Sequence, residues 1–437
     1  MIDGKNQIPP LMSKDKLPTV SIIIVNHNGK HHLKECLESL MAMNYPISRL
    51  ELLLVDNGSS DGSVKFVQQN YPNIKIITNA ANLGFAKANN LGAKEAIGDY
   101  IALLNNDMRV DSEWLLTLVE SVRRSDTIVC AGSKILNWDG TKIDFVGGGV
   151  NFYGYGFQTA HQSDRINDFD TEQPLLFACG GAMIIKRDVY LEVGGFDDDY
   201  FAFFEDVDLG WRLWILGYEV VFSPKSLVFH RHHGTAASLS DEKKVVLFER
   251  NALSTIIKNY ERENLDRILP AALMLANRRA LIALNLHRQR AFRIEGDRQS
   301  TEISELKTEN VTKRFSRIAK EEGTIGKTVI RFAKGISMRV HGFLADCLYT
   351  LLPPYRQTVG RCGISIIIAV DDVAKNLPAI LKKRDFIQAK RRRKDEDIFN
   401  LFGDPFQPTS HHDDFIAMQE DLIDTLGLRD IFKDRQA

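Results

Sequence analysis

An acidic cluster interleaved with aromatic residues is the densest chemical signal in the sequence. The stretch FDDDYFAFFEDVDLGWR contains Glu205, Asp206 and Asp208 among several phenylalanines. Apolar surroundings disfavour a charged carboxylate and raise its pKa, which suits a general base that removes a proton from a hydroxyl. The alternative is an acidic helix N-terminus that complements the helix dipole, which accounts for one or two of these acids but not for all. Asp208 is expected to pair with Arg212 on the next turn.

A second candidate is Asp107, which follows the apolar run YIALLNN. A carboxylate there is suited to hold a divalent cation that bridges a diphosphate, because hard cations prefer oxygen ligands and often keep substrate phosphates in their shell. The alternative is an aspartate in an ordinary turn before the next helix. His230 also closes an apolar strand and is expected at the same edge, so we rank it above His232 and His233.

The elements that must position these residues alternate between strands and helices. Strand-length apolar runs are VSIIIVN (20–26), LELLLVD (50–56), IKIIT (74–78) and YIALLN (100–105). Strands that alternate with helices predict right-handed βαβ units, and continuous apolar runs predict a mostly parallel sheet covered on both faces. Short polar residues follow all four runs, and ligands of open α/β sheets bind at the carboxyl ends of strands. A polar ligand is therefore expected along this edge.

Asp56 ends the second run, where its carboxylate is placed to accept hydrogen bonds from a base or a ribose. The alternative is that Asp56 and Ser59 cap the following helix. Asp61 and Ser63 are better placed for that cap, which leaves Asp56 for a ligand. No GxGxxG or GxxxxGK[ST] pattern follows these strands, so a dinucleotide or P-loop site is disfavoured.

The composition excludes several classes of function. Lysine and arginine total 56 against 57 aspartates and glutamates, a balance that gives no general attraction to nucleic acid. The five cysteines are scattered and form no CxxC pair, which indicates a reduced, cytoplasmic protein without structural zinc. The first residues lack the apolar core of a signal peptide, and no run of about 18 uncharged apolar residues predicts a transmembrane helix.

Five collinear blocks resemble the family 2 glycosyltransferases, whose catalytic domain has the Rossmann-like GT-A fold. The blocks are VSIIIVNHNG, LLLVDNGSSDGS, NLGFAKANNLGAKEAIGDYIALLNND, CGGAMIIKRDVYLEVGGFDDDYFAFFEDVDLGWR and ERNALSTIIKNY. The similarity is greatest to bacterial rhamnosyl- and galactofuranosyl-type transferases of surface glycans. It implies an inverting transfer of a sugar from a nucleotide-diphosphate sugar to a hydroxyl of a glycan or lipid-linked acceptor in cell-surface polysaccharide synthesis.

The resemblance also implies roles for individual positions. The nucleotide contacts are expected at Asn26, Asp56, Asn82, Asn89 and Asn105. The donor sugar or the acceptor is expected against Gly180, Gly181 and Ala182. Mg²⁺ or Mn²⁺ on the diphosphate is expected at Asp107 and His230, and the catalytic base is expected to be Asp206 with Glu205 beside it.

Two departures qualify the resemblance. The metal motif reads Asn105-Asn106-Asp107, so an amide replaces its first acid and reduces the negative charge available to a cation. No tryptophan in the chain follows an arginine, so the QxxRW motif of processive synthases is absent and a non-processive enzyme is expected.

The predicted organisation has four parts. They are an N-terminal tail (1–17), the GT-A domain (18–240), a mainly α-helical region (241–355), and a basic helix with a partly disordered tail (356–437). The segments 268–286 and 328–352 have apolar faces and flanking arginines. They are expected either to form a packed helical domain, which includes pairing in a homo-oligomer, or to lie on an anionic membrane surface. The basic run 382–394 is open to the same second interpretation, with the protein peripheral on the inner face of the cell membrane.

Two other functions compete with the glycosyltransferase interpretation. A nucleotidyltransferase also combines an α/β nucleotide fold with metal-binding acids, but it normally has a glycine-rich basic loop after its first strand, where this chain has only Lys30. A catalytically inactive GT-A module used for binding is favoured by Asn105 and opposed by the retention of Asp107, Glu205, Asp206 and His230.

Overall fold

The computed structural model describes residues 16–231, 239–284 and 360–433. Most of the predicted N-terminal tail, His232 and His233, and the helical segment 328–352 lie outside the described residues. The chain forms two compact units. The first comprises the described parts of Met1–Gly147, Gln158–Phe201 and Tyr218–Ala237, and the second those of Gly148–Phe157, Ala202–Gly217 and Ser238–Ala437.

The first unit is built on a mixed sheet. The strands of the described residues, in sequence order, are β1 (Val20–Asn26), β2 (Leu50–Asp56), β3 (Lys75–Thr78), β4 (Tyr100–Asn105), β5 (Met108–Val110), β6 (Ile128–Asn137), β7 (Ile143–Phe145), β8 (Gly148–Val150), β9 (Gly156–Gln158), β10 (Ala182–Lys186) and β11 (Glu219–His230). Within the described residues the order across the main sheet is β3-β2-β1-β4-β10-β6-β11-β5, with β7 paired to β6, while β8 and β9 pair separately. The strands predicted over 20–105 are confirmed as β1 to β4 and are mutually parallel.

The later strands give the sheet its mixed character. Strand β10 runs antiparallel to both β4 and β6, and β5 runs antiparallel to β11, whereas β6 and β11 are parallel. The region 133–175 starts with the buried second half of β6 and includes the short strand β7 antiparallel to it. The α/β class expected from the sequence is confirmed. Strands β10 and β11, from the later part of the first unit, belong to the same sheet as β1 to β4.

Helices cover the sheet of the first unit. They are α1 (Lys30–Met41), α2 (Ser63–Asn70), α3 (Phe85–Glu95), α4 (Trp114–Val122) and α5 (Arg187–Glu192). The central strand β1 is buried on both faces, since Ile22, Ile23 and Ile24 have no exposed surface. That burial is the reason for its continuous apolar sequence, because a strand between two helical layers has no solvent-facing side.

The second unit is mainly helical. Its α-helices, within the part of the unit that the structure describes, are α6 (Glu205–Ile215), α7 (Asp241–Asn259), α8 (Arg262–Ala283), α9 (Arg361–Ala389), α10 (Asp413–Thr425) and α11 (Leu428–Ile431). The apolar face of α8 is buried, with Ile268, Leu275 and Ala276 at zero exposure, and α8 packs against α7, α9 and α10. This arrangement favours the packed-domain interpretation for the segment 268–286.

The basic run 382–394 makes internal contacts. Arg384 is buried and donates hydrogen bonds to the carbonyls of Ile257 and Tyr260 at the end of α7, at 2.7 and 2.6 Å. Cations at a helix C-terminus satisfy carbonyls that have no partner within the helix. The residues after the run, expected to be a partly disordered tail, include α10, in which Phe415 is fully buried. Of the helices described, none is both long and apolar enough to span a bilayer.

Candidate active site

The parallel register brings two predicted nucleotide contacts side by side at the edge of the sheet. Asn26 and Asp56 are partners in the ladder between β1 and β2, and both side chains are buried. The Asn26 Nδ2 group donates to Asp56 Oδ1 at 3.2 Å, and the backbone N–H of Ser59 donates to Asp56 Oδ2 at 3.0 Å. Asp61 instead bonds the start of α2, where it accepts from the Ser63 backbone N–H at 3.0 Å. The two aspartates therefore have separate roles, although Asp56 also stabilises its own turn.

A second group of amides extends this edge. Asn57 donates to Asn82 Oδ1 at 2.8 Å and accepts from Asn79 Nδ2 at 3.0 Å. The Asn82 oxygen also accepts the backbone N–H of Gly84 at 3.0 Å, which fixes the loop before α3. Asn89 lies on α3, where its side-chain amide donates to the carbonyl of Phe85 in the same helix. The structure thus joins Asn82 to the amides after β2, while the Asn89 bond is local.

Asn105 and Gly181 meet at the end of β4. The Asn105 backbone N–H donates to the Gly181 carbonyl at 2.8 Å, beside the start of β10 at Ala182. A Cβ atom on Gly181 would lie 2.8 Å from Asn105 Nδ2, so the glycine allows the amide to approach the backbone closely. The predicted sugar contacts and the first position of the metal motif therefore belong to one local arrangement.

His230 lies between two buried carboxylates. Its Nδ1 atom is 2.6 Å from Asp144 Oδ2, and its Nε2 atom is 3.3 Å from Asp107 Oδ2. The second distance is that of an ion pair, but among the described residues neither Asp107 oxygen has a well-directed hydrogen bond. The ladder between β11 and β5 creates the contact, because it pairs His230 with Met108, the residue after Asp107.

Neighbouring charges shift the pKa values of His230 and Asp107. Burial would lower the pKa of His230, but the neighbouring Asp107 and Asp144 carboxylates outweigh it and raise the pKa to about 9. Burial would likewise raise the pKa of Asp107, and His230 outweighs it to hold the value below its usual range. The arrangement is a cation held between two anions at the rim of the sheet.

Asp144 is the functional candidate that sequence reasoning missed. It lies at the centre of β7 and is buried, and its backbone carbonyl also contacts His161 Nδ1 at 3.1 Å. The polar residue in Ile143-Asp144-Phe145 looks like the solvent-facing position of a strand that alternates. No pattern in the neighbouring sequence indicates that Asp144 is buried.

The acidic cluster of the sequence is divided between the two units. Asp198 belongs to the first unit, where it accepts a hydrogen bond from Asn90 Nδ2 at 2.7 Å. Glu205 and Asp206 belong to the second unit and begin α6.

Glu205 and Asp206 have different surroundings. Glu205 is buried, and no partner for its Oε2 atom is found among the described residues. Burial, reinforced by the charge of Asp206, raises the pKa of Glu205 to about 8. Asp206 is partly exposed, and its Oδ1 atom accepts the backbone N–H of Val207 at 2.9 Å. Solvent therefore reaches Asp206 more readily than Glu205.

Asp208 has a structural role, as the sequence predicted. Its carboxylate is fully buried and contacts Arg212 Nε at 2.8 Å and Lys258 Nζ at 2.9 Å. Asn259 adds a hydrogen bond to Asp208 Oδ1 at 3.1 Å. The network ties α6 to the end of α7 and leaves Asp208 without access to a substrate.

Comparison with known proteins adds independent findings. Residues 21–194 match the model of glycosyl transferase family 2. The chain is similar to N-acetylglucosaminyl-diphospho-decaprenol L-rhamnosyltransferase of Mycobacterium tuberculosis, with 31% identity over 247 residues that cover 51% of this chain and 78% of that protein. It is also similar to glycosyltransferase AglE of Haloferax volcanii, with 28% identity over 216 residues, 47% of this chain and 65% of the relative.

Among solved structures, the chain is similar to GalNAc-T7 bound to UDP, GalNAc and Mn²⁺. The TM-score is 0.48 at 19% identity, and the match covers 60% of this chain and 52% of that one. The region matched by the family model contains Asn26, Asp56 and Asp107, whereas Asp206 and His230 lie beyond it.

Proposed function

The chain belongs to glycosyl transferase family 2, and from this premise we propose that it transfers a sugar from a nucleotide-diphosphate sugar to a hydroxyl of a glycan or lipid-linked acceptor. The enzyme is a glycosyltransferase with an α/β, GT-A-like first unit and a helical C-terminal region. The observation that carries the proposal is the buried Asp107 carboxylate at the rim of the sheet, which faces His230 and has no well-directed hydrogen bond within the described part of the chain.

The nucleotide site we propose follows the edge formed by β1, β2 and β4. Asn26 and Asp56 would contact the base or ribose, and Asn82, Asn89 and Asn105 would lie along the rest of the nucleotide. This placement of the nucleotide is supported by the strand register, which pairs Asn26 of β1 with Asp56 of β2, and Val25 of β1 with Asn105 of β4. Gly180, Gly181 and Ala182 would line the donor sugar or the acceptor, and the missing Cβ of Gly181 lets the Asn105 amide lie against this segment.

A divalent cation, Mg²⁺ or Mn²⁺, would be held by Asp107 and His230. Two features of the chain fit such an ion: a buried carboxylate that has no well-directed hydrogen bond among the described residues, and an imidazole nitrogen 3.3 Å away that would release its proton to bind the ion. The described residues contain no group of three or more acidic, histidine or cysteine ligands, so the remaining ligands would come from the diphosphate and water. When bound, the ion would stabilise the charge that develops on the leaving diphosphate.

Asp206 is the proposed catalytic base. In an inverting transfer it removes the proton from the acceptor hydroxyl, whose oxygen attacks the anomeric carbon on the face opposite the nucleoside diphosphate. The different surroundings of the two acids support this assignment, because Glu205 retains its proton near neutral pH while Asp206 is open to solvent. Neighbouring carboxylates with different environments commonly divide their roles in this way.

The acceptor of the proposed transfer is a glycan or a lipid-linked molecule. A lipid-linked acceptor is supported by the name of the mycobacterial relative, which acts on a diphospho-decaprenol. The missing QxxRW motif supports a non-processive enzyme that adds one sugar to such an acceptor in cell-surface glycan synthesis. Peripheral contact with an anionic membrane would bring the enzyme to that acceptor.

A panel of nucleotide sugars tests the function. The full chain is incubated with UDP-glucose, UDP-N-acetylglucosamine, GDP-mannose and dTDP-L-rhamnose, with Mn²⁺ and N-acetylglucosaminyl-diphospho-decaprenol, and release of nucleoside diphosphate is measured. Acceptor-dependent release from one donor is expected. Release of pyrophosphate from a sugar phosphate and a nucleoside triphosphate would identify a nucleotidyltransferase. Binding of a donor without turnover would identify an inactive binding module.

The assignment of the base has its own test. Asp206→Asn is expected to lower the turnover number by about 10²–10⁴-fold while donor affinity is retained. The matched control is Asp199→Asn, which changes an exposed acid of the same sequence cluster in the first unit. Turnover by Asp206→Asn close to that of the unmodified enzyme would disprove the assignment.

A further inference from the structure

The backbone immediately before α6 has an unusual conformation. Phe203 and Phe204 have φ angles of 71° and 63°, and Phe204 is the residue that precedes the helix. Bulky L-residues seldom adopt positive φ, because Cβ then approaches the following carbonyl. Such strain persists only where the surrounding structure holds it, and it is common at functional sites. The direction in which Glu205 and Asp206 leave this turn depends on its conformation.

A single buried side chain holds the turn. Asn251 lies on α7 with no exposed surface, and its Nδ2 group donates to the carbonyls of Ala202 at 2.9 Å and Phe203 at 2.7 Å. Both amide hydrogens are therefore used on consecutive backbone carbonyls. The Asn251 oxygen accepts from the Arg250 guanidinium at 3.1 Å, which fixes the orientation of the amide.

An aromatic contact from the same helix reinforces the turn. Phe248 is one turn before Asn251 and stacks on Phe203, with ring centroids 4.4 Å apart and planes 27° apart. The Phe248 ring also lies 5.3 Å from that of Phe204. The turn is thus held on one side by hydrogen bonds and on the other by ring packing, both from α7.

We propose that Asn251 is a positioning residue for the transfer reaction, and that its amide holds the Ala202–Phe204 turn in the conformation that presents Asp206 in the first turn of α6. The proposal rests on Asp206 as the base of the proposed function. Asn251 touches neither substrate nor the reacting atoms in this role. It acts by preserving the orientation of the carboxylate that does.

The chemistry of the contact explains why asparagine occupies this position. An aspartate has the same shape but would place a carboxylate oxygen, in the position of Nδ2, against both carbonyl oxygens. An alanine would leave both carbonyls without their donor, which is costly in a buried site. Either change would free the turn to relax towards negative φ, and the first turn of α6 would move with it.

The loss of Asn251 is expected to lower kcat while leaving the donor KM nearly unchanged. Asn251→Asp and Asn251→Ala are prepared in the full chain and assayed with the donor of the nucleotide-sugar panel that gives release, with N-acetylglucosaminyl-diphospho-decaprenol as acceptor. We expect kcat to fall by about 10- to 100-fold, since small misplacements of a catalytic group have effects of that size. The donor KM is expected to change less than about twofold in the same assay, because the nucleotide contacts are elsewhere.

A matched control separates positioning from general destabilisation. Asn264, also in the second unit, lies in the first turn of α8 and donates its side-chain amide to Asp395 at 2.9 Å. Asn264→Ala is expected to retain kcat. If Asn251→Ala does not fold, Phe248→Leu replaces it, because Phe248 is only partly buried and its loss weakens the turn from the aromatic side. Phe248→Leu is expected to lower kcat with donor KM unchanged.

A double-mutant cycle provides the decisive readout. If Asn251 acts through Asp206, adding Asn251→Ala, or Phe248→Leu where that variant replaces it, to Asp206→Asn causes no further loss of residual transfer. A loss in that background as large as in the unmodified enzyme would overturn the proposal while leaving Asp206 as the base. Near-normal turnover by Asp206→Asn alone would overturn the base assignment and this proposal together.

Discussion

The imidazole of His230 is fixed by Asp144, whose Oδ2 atom lies 2.6 Å from His230 Nδ1. The contact leaves Nε2 directed at Asp107, 3.3 Å away. A carboxylate behind a metal-binding histidine sets its tautomer and ring orientation and commonly contributes to metal affinity. Asp144 and His230 are 86 positions apart, so β7 and β11 must fold before the pair exists.

The first prediction concerns this contact. Asp144→Ala is expected to weaken Mn²⁺ binding by about 10- to 100-fold, because the imidazole loses the group that orients it. Asp144→Asn retains a hydrogen-bond acceptor for His230 and is expected to lose less Mn²⁺ affinity than Asp144→Ala. Mn²⁺ affinity is measured by electron paramagnetic resonance on protein without donor, with the exposed Asp164→Ala as the control. Equal affinities for Asp144→Ala and the unmodified protein would rule out the role of Asp144.

The second prediction concerns stability and pH at Glu205. Its pKa is raised from an ordinary value of 4.5 to about 8, so the folded protein binds this proton more tightly than the unfolded chain. The stabilising contribution is therefore complete below the unfolded pKa and is lost as pH rises to about 8. Glu205→Gln removes the titration and is expected to flatten this part of the stability profile.

Urea unfolding at intervals from pH 5 to pH 9 measures the effect of Glu205. The exposed Glu263→Gln is the control and should leave the slope as it is in the unmodified protein. A Glu205→Gln profile as steep as that of the unmodified protein would mean that other groups cause the dependence.

The third prediction compares two ion pairs of the second unit with the same sequence spacing. Arg212 and Asp208 have side-chain exposures of 5% and 0%, whereas Arg262 and Asp266 have 46% and 48%. Arg212→Met is expected to lower the free energy of unfolding by about 3 kcal/mol, because it leaves the buried Asp208 carboxylate with fewer partners. Arg262→Met is expected to cost less than about 1 kcal/mol. Urea denaturation of the two variants tests the order, and equal costs would contradict it.

The fourth prediction concerns the close approach at Gly181. A Cβ atom there would lie 2.8 Å from Asn105 Nδ2, so Gly181→Ala displaces the amide proposed to contact the nucleotide. We expect kcat/KM for the donor to fall, by up to about 10²-fold. In Gly194→Ala the added methyl group meets open space but at a φ of 87°, so this control should cost stability and leave donor kinetics intact. Unchanged kinetics in Gly181→Ala would remove Asn105 from the donor site.

The sequence alone determined the strands and much of the local chemistry. The runs 20–26, 50–56 and 100–105 correspond to β1, β2 and β4 residue for residue, because a strand buried on both faces is apolar along its whole length. The pairing of Asp208 with Arg212 was equally accessible, since residues four apart face each other on a helix. In both cases the information lies within a few neighbouring residues.

Only the tertiary structure decided how distant residues meet. It paired Asp198 with Asn90, buried Glu205 but not Asp206, and brought Asp144 behind His230. It also turned part of the basic run 382–394 into caps for α7, as Arg384 illustrates. No periodic pattern in the local sequence predicts these contacts, because burial and partner choice depend on which elements pack together. The sequence therefore identified which residue types carry the chemistry, and the packing of β7, β11 and α7 decided which of their neighbours support them.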